Sequence, residues 1–288
     1  MQLYNILSAD ERKILIDEAG KQRLTLSFYA YAKISDPTLF RNQLFLAWQS
    51  LDVLGRIYVA SEGINAQLSL PADNFYAFKN SIKVFDFMKN LRLNVAVEQD
   101  DFSFLKLTIK VRDKILADGL KDETFDSSNI GIHLKANEFN KMIDDPNTIV
   151  VDLRNHYESE VGHFTKAIRP DVDTFRDSLP IIEAQLSAHK SDKKILMYCT
   201  GGIRCEKTTA WMKEMDIPVF QLDGGILNYF QQMPDAEKDF EGVCFVFDNR
   251  IALDTHLQET QTSLEDVYGG EPDGEWRMRR AKELDASG

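Results

Sequence analysis

From Gly131 onward, short apolar runs alternate with stretches of helical period, and that alternation limits this half of the chain to one class of fold. A helix is expected near 136–143, then the buried strand Thr148-Ile-Val-Val-Asp-Leu153, a helix near 179–189, the strand Lys194-Ile-Leu-Met-Tyr198, a helix over about 206–215 and the strand Val219-Phe-Gln-Leu222. Strands that are apolar throughout have no wet face, so the intervening helices must cover both sides of a parallel sheet. Open sheets of this kind place ligands at the carboxyl ends of their strands. The strand 194–198 ends on Cys199.

The first half follows a different rule. Residues 24–33 alternate, with Leu24, Leu26, Phe28, Ala30 and Ala32 on one face and Thr25, Ser27, Tyr29, Tyr31 and Lys33 on the other, which is the signature of a half-covered strand. Asp36 and Pro37 open a helix carrying Phe40, Leu44, Phe45 and Trp48. Two strands near 56–60 and 64–70, a helix from Pro71 carrying Phe75, Phe78 and Ile82, and a strand near 91–98 complete the set. The order strand-helix-strand-strand-helix-strand is that of a ferredoxin-like, or acylphosphatase-like, α+β sandwich. A further strand near 105–111 is expected to lead out of it. The polar stretch 112–130 reads as a linker between a domain at 1–111 and an α/β domain at 131–240. From about 258 to 288 apolar residues are few and acidic ones outnumber basic ones, so part of the extension 241–288 is expected to be disordered.

A chain of 288 residues with 43% hydrophobic and 28% charged side chains can bury ordinary cores in about two domains. It contains no run long and apolar enough for a membrane span and no signal-like start, so a cytoplasmic protein without a membrane partner is expected. Three cysteines, two of them on one loop, point to thiol chemistry rather than to a disulfide framework. The net charge of -12 argues against a generally basic nucleic-acid binder, but the charge is uneven. Residues 1–120 carry 15 Lys+Arg against 14 Asp+Glu, and the remainder carries 19 against 32, so the first half is the less repulsive face for RNA.

The chemistry concentrates in Cys199-Thr200-Gly201-Gly202-Ile203-Arg204-Cys205. Adjacent glycines let successive amides turn inward into an anion-holding nest. The following helix adds the partial positive charge of its amino end, and Arg204 adds a full charge with a fork of donors. Together they should lower the Cys199 thiol below its free value of about 8.5 and hold it as a thiolate. The plain alternative is a buried structural cysteine beside a tight turn. Cys205 is either a resolving thiol that closes a disulfide with an oxidised Cys199 or simply a small residue at the helix start.

Residues 131–230 resemble the rhodanese family through Val151-Asp152-Leu153-Arg154 with Glu158, Gly162-His163, Ala167, the Cys199 loop and Asp223-Gly224-Gly225-Ile226. The resemblance implies a persulfide-forming Cys199. Four residues, Thr200 to Ile203, separate it from Arg204, whereas the related cysteine phosphatases have five. The longer string Cys199-Thr-Gly-Gly-Ile-Arg-Cys-Glu-Lys207, Gly55-Arg56 with Glu62-Gly63-Ile64-Asn65, and Gly242-Val-Cys-Phe-Val-Phe-Asp248 with Arg250 resemble the rhodanese-domain tRNA uridine hydroxylase family over about residues 24–256. That resemblance implies hydroxylation of carbon 5 of wobble uridine 34 in tRNA, the first step toward 5-alkoxyuridine, with molecular oxygen as co-substrate. Many members continue into a cysteine-rich tail that looks like a metal knuckle. This chain has no cysteine after Cys244, and a structural zinc is not expected.

Asp152 and Arg154 stand at the carboxyl end of their strand, where Asp152 would brace the loop and Arg154 would help hold an anion, or Arg154 would pair with Glu158. His156 and His163 lack a second ligand at metal spacing and are read as hydrogen-bonding residues. Tyr29, Tyr31 and Lys33 on the sheet face, with Lys106, Lys110, Arg112 and Lys114, are candidate contacts for unpaired bases and phosphates; packing against the second domain and a solvated strand are the alternatives. Neither a Gly-x-Gly-x-x-Gly loop nor a clear two-His-one-carboxylate set is evident, so no cofactor is assigned. Three functions remain open: the tRNA hydroxylase, a persulfide-carrying sulfurtransferase and a non-catalytic tRNA adaptor.

Overall fold

The structure is a computed structural model and describes residues 7–96, 101–120, 129–187 and 193–279. The chain divides into two compact units, one formed by Met1–Ile115 with Phe247–Arg250 and Pro272–Gly288, the other by Leu116–Val246 with Ile251–Glu271.

In the first unit, α1 (Ala9–Ala19), absent from the sequence reading, is closed by a Ser8/Glu11 capping box, with Gly20 at its carboxyl end at φ 57°. It is followed by β1 (Arg23–Tyr31), α2 (Pro37–Gln49), β2 (Leu54–Ala60), β3 (Gly63–Pro71), α3 (Phe75–Lys83), β4 (Asn94–Val95) and β5 (Leu107–Val111). The Asp36 side chain accepts from Leu39 N at 2.9 Å, and Pro37 fills the first turn, as the local chemistry requires. The sheet order is β4-β1-β3-β2-β5, with β1 antiparallel to β3 and β4 and β2 antiparallel to β3. That is the ferredoxin-like arrangement. β5 does not lead away. It joins the open edge of β2 in parallel, because Leu107 and Ile109 are buried in the same core as Leu26, Phe28, Trp48 and Phe78. β4 spans two residues, and the predicted continuation to residue 98 runs outside the described residues.

The second unit contains β6 (Ile132–Leu134), α4 (Ala136–Ile143), β7 (Thr148–Asp152), α5 (His156–Glu160), β8 (Gly162–Phe164), β9 (Ala167–Ile168), α6 (Phe175–Ser187), β10 (Lys194–Tyr198), α7 (Ile203–Lys213), β11 (Val219–Leu222), α8 (Gly225–Gln232), β12 (Phe240–Gly242), β13 (Cys244–Phe245), β14 (Ala252–Leu253) and α9 (Leu264–Tyr268). Its main sheet runs β6-β11-β10-β7-β9 with every neighbour parallel. Alternate residues of β10 enter different cores. Leu196 and Tyr198 pack with Phe139, Phe164 and Tyr229, while Ile195 and Met197 pack with Leu179, Ile182 and Met212. Both faces are therefore covered, which is why the strand is apolar throughout.

Two expectations need correction. The polar stretch after 111 is not uniformly exposed: Ile115 is buried, and Asp118 lies buried 3.4 Å from the buried Lys207 amine on α7. Residues 121–128 lie outside the described residues. The acidic tail is also more ordered than its composition suggests. Ser263 caps α9, Val267 and Tyr268 are buried, and the Tyr268 ring stands 5.1 Å from that of Tyr157 on α5. A few apolar residues dock a segment when an aromatic surface receives them, whatever the average composition. The predicted disorder beyond 279 falls outside the described residues.

Candidate active site

β10 ends in the bend 199–202, and α7 begins at Ile203, three residues before the helix start read from the sequence. The loop is thus shorter, and Arg204 and Cys205 belong to the first turn of α7. Gly202 takes up the left-handed conformation, φ 97°, that caps this helix, whereas Gly201 has no positive φ. The turn aims Gly202 N–H at the Cys199 sulfur, 3.1 Å away. A second helix start supports the loop from behind. Ile226 N–H and Leu227 N–H at the head of α8 donate to the carbonyls of Cys199 (3.0 Å) and Thr200 (3.2 Å). Gly225 is required there. At φ 70°, a Cβ would lie 2.5 Å from both carbonyl oxygens.

Cys199 and Cys205 are free thiols buried in one apolar cluster. Burial opposes ionisation of Cys199, but the Cys205 thiol, the Arg204 charge and the amides of Arg204 and Cys205 together outweigh it and bring the pKa down to about 6. Cys205 moves the other way. Burial and its neighbour's charge push its pKa well above the ordinary thiol range, so it stays protonated. Cys244, also buried, is pushed up to about 12, first by burial.

The guanidinium of Arg204 does not stand free as an anion fork. Glu158, brought up by α5, accepts from its Nη2 at 2.7 Å and its Nη1 at 3.1 Å. An Arg154 to Glu158 pair is therefore not formed. Arg154 closes instead on Asp152, with Nη2 to Oδ2 at 2.7 Å, and on the Gly162 carbonyl at 2.6 Å, leaving Nη1 buried without a hydrogen-bond partner. Both Asp152 and Arg154 are fully buried, so neither reaches an anion in solvent. Thr200 Oγ1 is likewise buried and unpartnered, and above Gly201 an added Cβ would meet nothing within 4 Å. Ile203 is half-exposed beside them.

His163 Nδ1 bonds the Ser159 carbonyl at 2.9 Å. His156 brings together groups the sequence could not connect: Nδ1 meets the Val172 carbonyl at 2.9 Å and Nε2 the Glu271 carboxylate, while Asp173 lies 3.6 Å from Nδ1. Burial lowers the His156 pKa, but the hydrogen bonds to Val172 and Glu271 and the two carboxylates outweigh it, and the net shift is upward. His156, Asp173 and Glu271 thus form a metal-like grouping, but both ring nitrogens already have hydrogen-bond partners.

In the first unit, Tyr29, Asn65, Tyr58 and Lys110 are register partners across four strands and so share one face. Tyr31 packs edge-on against Tyr29 at 6.2 Å, and the exposed Arg112 lies over the Tyr58 ring at 5.9 Å. Tyr58 was not singled out from sequence, although its place two residues after Arg56 puts it on that face. Lys33 is exposed just beyond β1, and Lys106 is buried. The Glu62-Gly63 turn has a structural explanation: a Cβ at Gly63 would lie 2.0 Å from the Ala30 carbonyl oxygen, and Glu62 accepts from Ile115 N–H at 2.9 Å.

A ferredoxin-like unit followed by a parallel α/β unit with a cysteine loop at its sheet edge defines a two-domain rhodanese-type protein, and residues 23–115 match the UPF0176 acylphosphatase like domain while 135–232 match the rhodanese-like domain. A relative from Leptospira interrogans named tRNA uridine(34) hydroxylase is 48% identical over 252 residues, which span 86% of this chain and 68% of the relative. One of the same name from Escherichia coli O6:K15:H31 is 47% identical over 253 residues, 86% of this chain and 72% of its own length. The chain belongs to the tRNA uridine(34) hydroxylase family.

Proposed function

We propose that this protein hydroxylates carbon 5 of uridine 34 in tRNA with molecular oxygen, and that the reaction takes place at the Cys199 loop. The observation that carries the reading is the buried Cys199 sulfur, held at the sheet edge by the Gly202 N–H at 3.1 Å, in the rhodanese-like unit of a chain belonging to the hydroxylase family. In this reading Cys199 is the reactive group. Thr200, Gly201, Gly202 and Ile203 shape its anion loop, Arg204 supplies charge, Cys205 is the second thiol, and Asp152 with Arg154 brace the strand end. Tyr29, Tyr31, Lys33, Lys110 and Arg112 are the proposed RNA contacts, because stacking faces and cations side by side suit unpaired bases and phosphates. The proposed compartment is the cytoplasm, where thiols stay reduced. Among the described residues, no helix is long and apolar enough to cross a membrane.

The test is nucleoside mass analysis of tRNA from a deletion strain. Loss of the hydroxylated uridine and its alkoxy derivatives, restored by the wild-type gene and not by Cys199→Ala, is the expected result. Full restoration by Cys199→Ala would overturn the catalytic role and favour an adaptor.

The four-residue spacing between Cys199 and Arg204 favours a second reading, a persulfide-carrying sulfurtransferase. Thiosulfate:cyanide sulfur transfer by the purified protein, with unchanged tRNA in the deletion strain, would replace the first reading with this one.

A further inference from the structure

Inserting one atom of dioxygen into a C–H bond leaves the second atom to be reduced, and that requires two electrons from elsewhere. The Cys199 loop holds such a source. Cys199, at the end of β10, and Cys205, in the first turn of α7, stand on either side of one tight turn and are buried in the same apolar cluster. Resting on the hydroxylase reading, we propose that this pair is the electron donor of the reaction: Cys199 takes the second oxygen atom as a sulfenic acid, and Cys205 displaces it as water, closing a Cys199–Cys205 disulfide in every turnover.

The steps balance. In the first, the uridine C5–H and the O–O bonds break, C5–OH and Cys199 S–O bonds form, and one proton from solvent replaces the one the Cys199 thiolate had given up, completing S–OH. Carbon and sulfur each lose two electrons, and the two oxygen atoms gain the four. In the second, the Cys205 S–H and Cys199 S–O bonds break, the S–S bond forms, and hydroxide leaves with the Cys205 proton as water. An external dithiol, itself oxidised to a disulfide, then returns the pair to two thiols.

The surroundings fit each role. Thr200 Oγ1, buried beside Cys199 without a partner, is a free donor for an oxygen atom carried on that sulfur. The open space above Gly201 gives the substrates an approach. Cys205, with no exposed surface and kept protonated by burial, brings the proton that the leaving hydroxide needs. Cys244 belongs to the other apolar cluster, and its thiol donates to the Phe245 carbonyl at 3.7 Å.

Trypsin cleaves between Arg204 and Cys205, so the disulfide appears as a crosslink between peptides Ile195–Arg204 and Cys205–Lys207. The full chain, reduced and then freed of thiol without air, is mixed with aerated buffer and a tRNA carrying unmodified uridine 34. One equivalent of hydroxylated uridine should form with one equivalent of crosslink and then stop, and dithiothreitol should restart it. In Cys205→Ser, one equivalent of product should leave Cys199 as a sulfenic acid that dimedone traps. Repeated turnover without thiol, or product with both cysteines free, overturns the inference and leaves the hydroxylase reading standing. No hydroxylated uridine in any arm, dithiothreitol included, overturns both. If the serine variant does not fold, the wild-type stoichiometry alone decides.

Discussion

The buried carboxylate of Glu158 accepts from both terminal nitrogens of Arg204, at 2.7 and 3.1 Å, and so fixes the cation that acts on the Cys199 sulfur. Neither partner has solvent to replace the other. Glu158→Gln keeps an acceptor but removes the charge, leaving a guanidinium uncompensated in the interior, which costs about 3–5 kcal/mol of stability. The same unopposed cation should draw the Cys199 thiol still lower. The expected pair of results is a lower melting temperature and a Cys199 titration displaced below that of the wild type. An unchanged melting temperature would show that the pair is not a buried one.

Cys199 itself offers the most direct measurement. Thiolate absorbance near 240 nm should rise through a midpoint at about pH 6, and the step should vanish in Cys199→Ala. Because this folded value lies below the unfolded thiol value of about 8.5, ionisation stabilises the native state. The contribution is complete above the unfolded pKa and is lost as pH falls through about 6. Wild type should therefore gain stability relative to Cys199→Ala as pH rises from about 6 to about 8.5. A midpoint near the free thiol value would remove the electrostatic basis of the proposed reaction.

The features legible in the sequence were local or periodic. β1, α2 and β10 announce themselves by alternation, capping and uninterrupted apolarity, and Cys199 by its place between a strand and a helix. What escaped is what the fold brings together from a distance. Nothing local assigns Glu158 to Arg204 rather than to Arg154, or Glu271 to His156 across 115 positions. The role of Gly225 is equally non-local, since it depends on how close α8 comes to the carbonyls of the Cys199 loop. α1 was the exception. Its Ser8/Glu11 capping box and Gly20 stop were available as local signals, but weak amphipathicity hid the helix between them.

Gly225→Ala tests that close approach. The new methyl would press on the Cys199 and Thr200 carbonyl oxygens at 2.5 Å, and a left-handed alanine adds about 1–2 kcal/mol of backbone strain. Relief requires the loop to move away from α8, breaking the bonds from Ile226 and Leu227. Activity should fall at least tenfold, the Cys199 titration should move upward, and the circular dichroism of the folded chain should persist. Wild-type activity would mean that α8 does not hold the loop.

The contact between His156 and Glu271 should make the end of the second unit sensitive to pH. The His156 pKa is raised, against the lowering effect of burial, by hydrogen bonds to Val172 and Glu271 and by the carboxylates of Glu271 and Asp173. A raised histidine stabilises the fold fully below its unfolded value of about 6.5 and loses that contribution as pH rises through the folded value. Glu271→Gln should therefore lower the melting temperature most in mildly acidic buffer, with the gap to wild type narrowing toward alkaline pH. A gap independent of pH would assign Glu271 a packing role only.

The register Tyr29, Asn65, Tyr58, Lys110 lines up aromatic, amide and cationic side chains on one sheet face, and each type predicts a different signature in tRNA binding. A lysine over a phosphate displaces counterions, so Lys110→Ala should weaken binding and reduce the slope of log K against log salt by about 1. A tyrosine stacked on a base contributes little to that slope. Tyr29→Ala should cost about 1–3 kcal/mol with the salt dependence intact. Fluorescence anisotropy with labelled tRNA at several salt concentrations separates the two. If both variants bind with wild-type affinity and slope, this face is not where the RNA docks, and the tRNA contacts must be sought elsewhere on the protein.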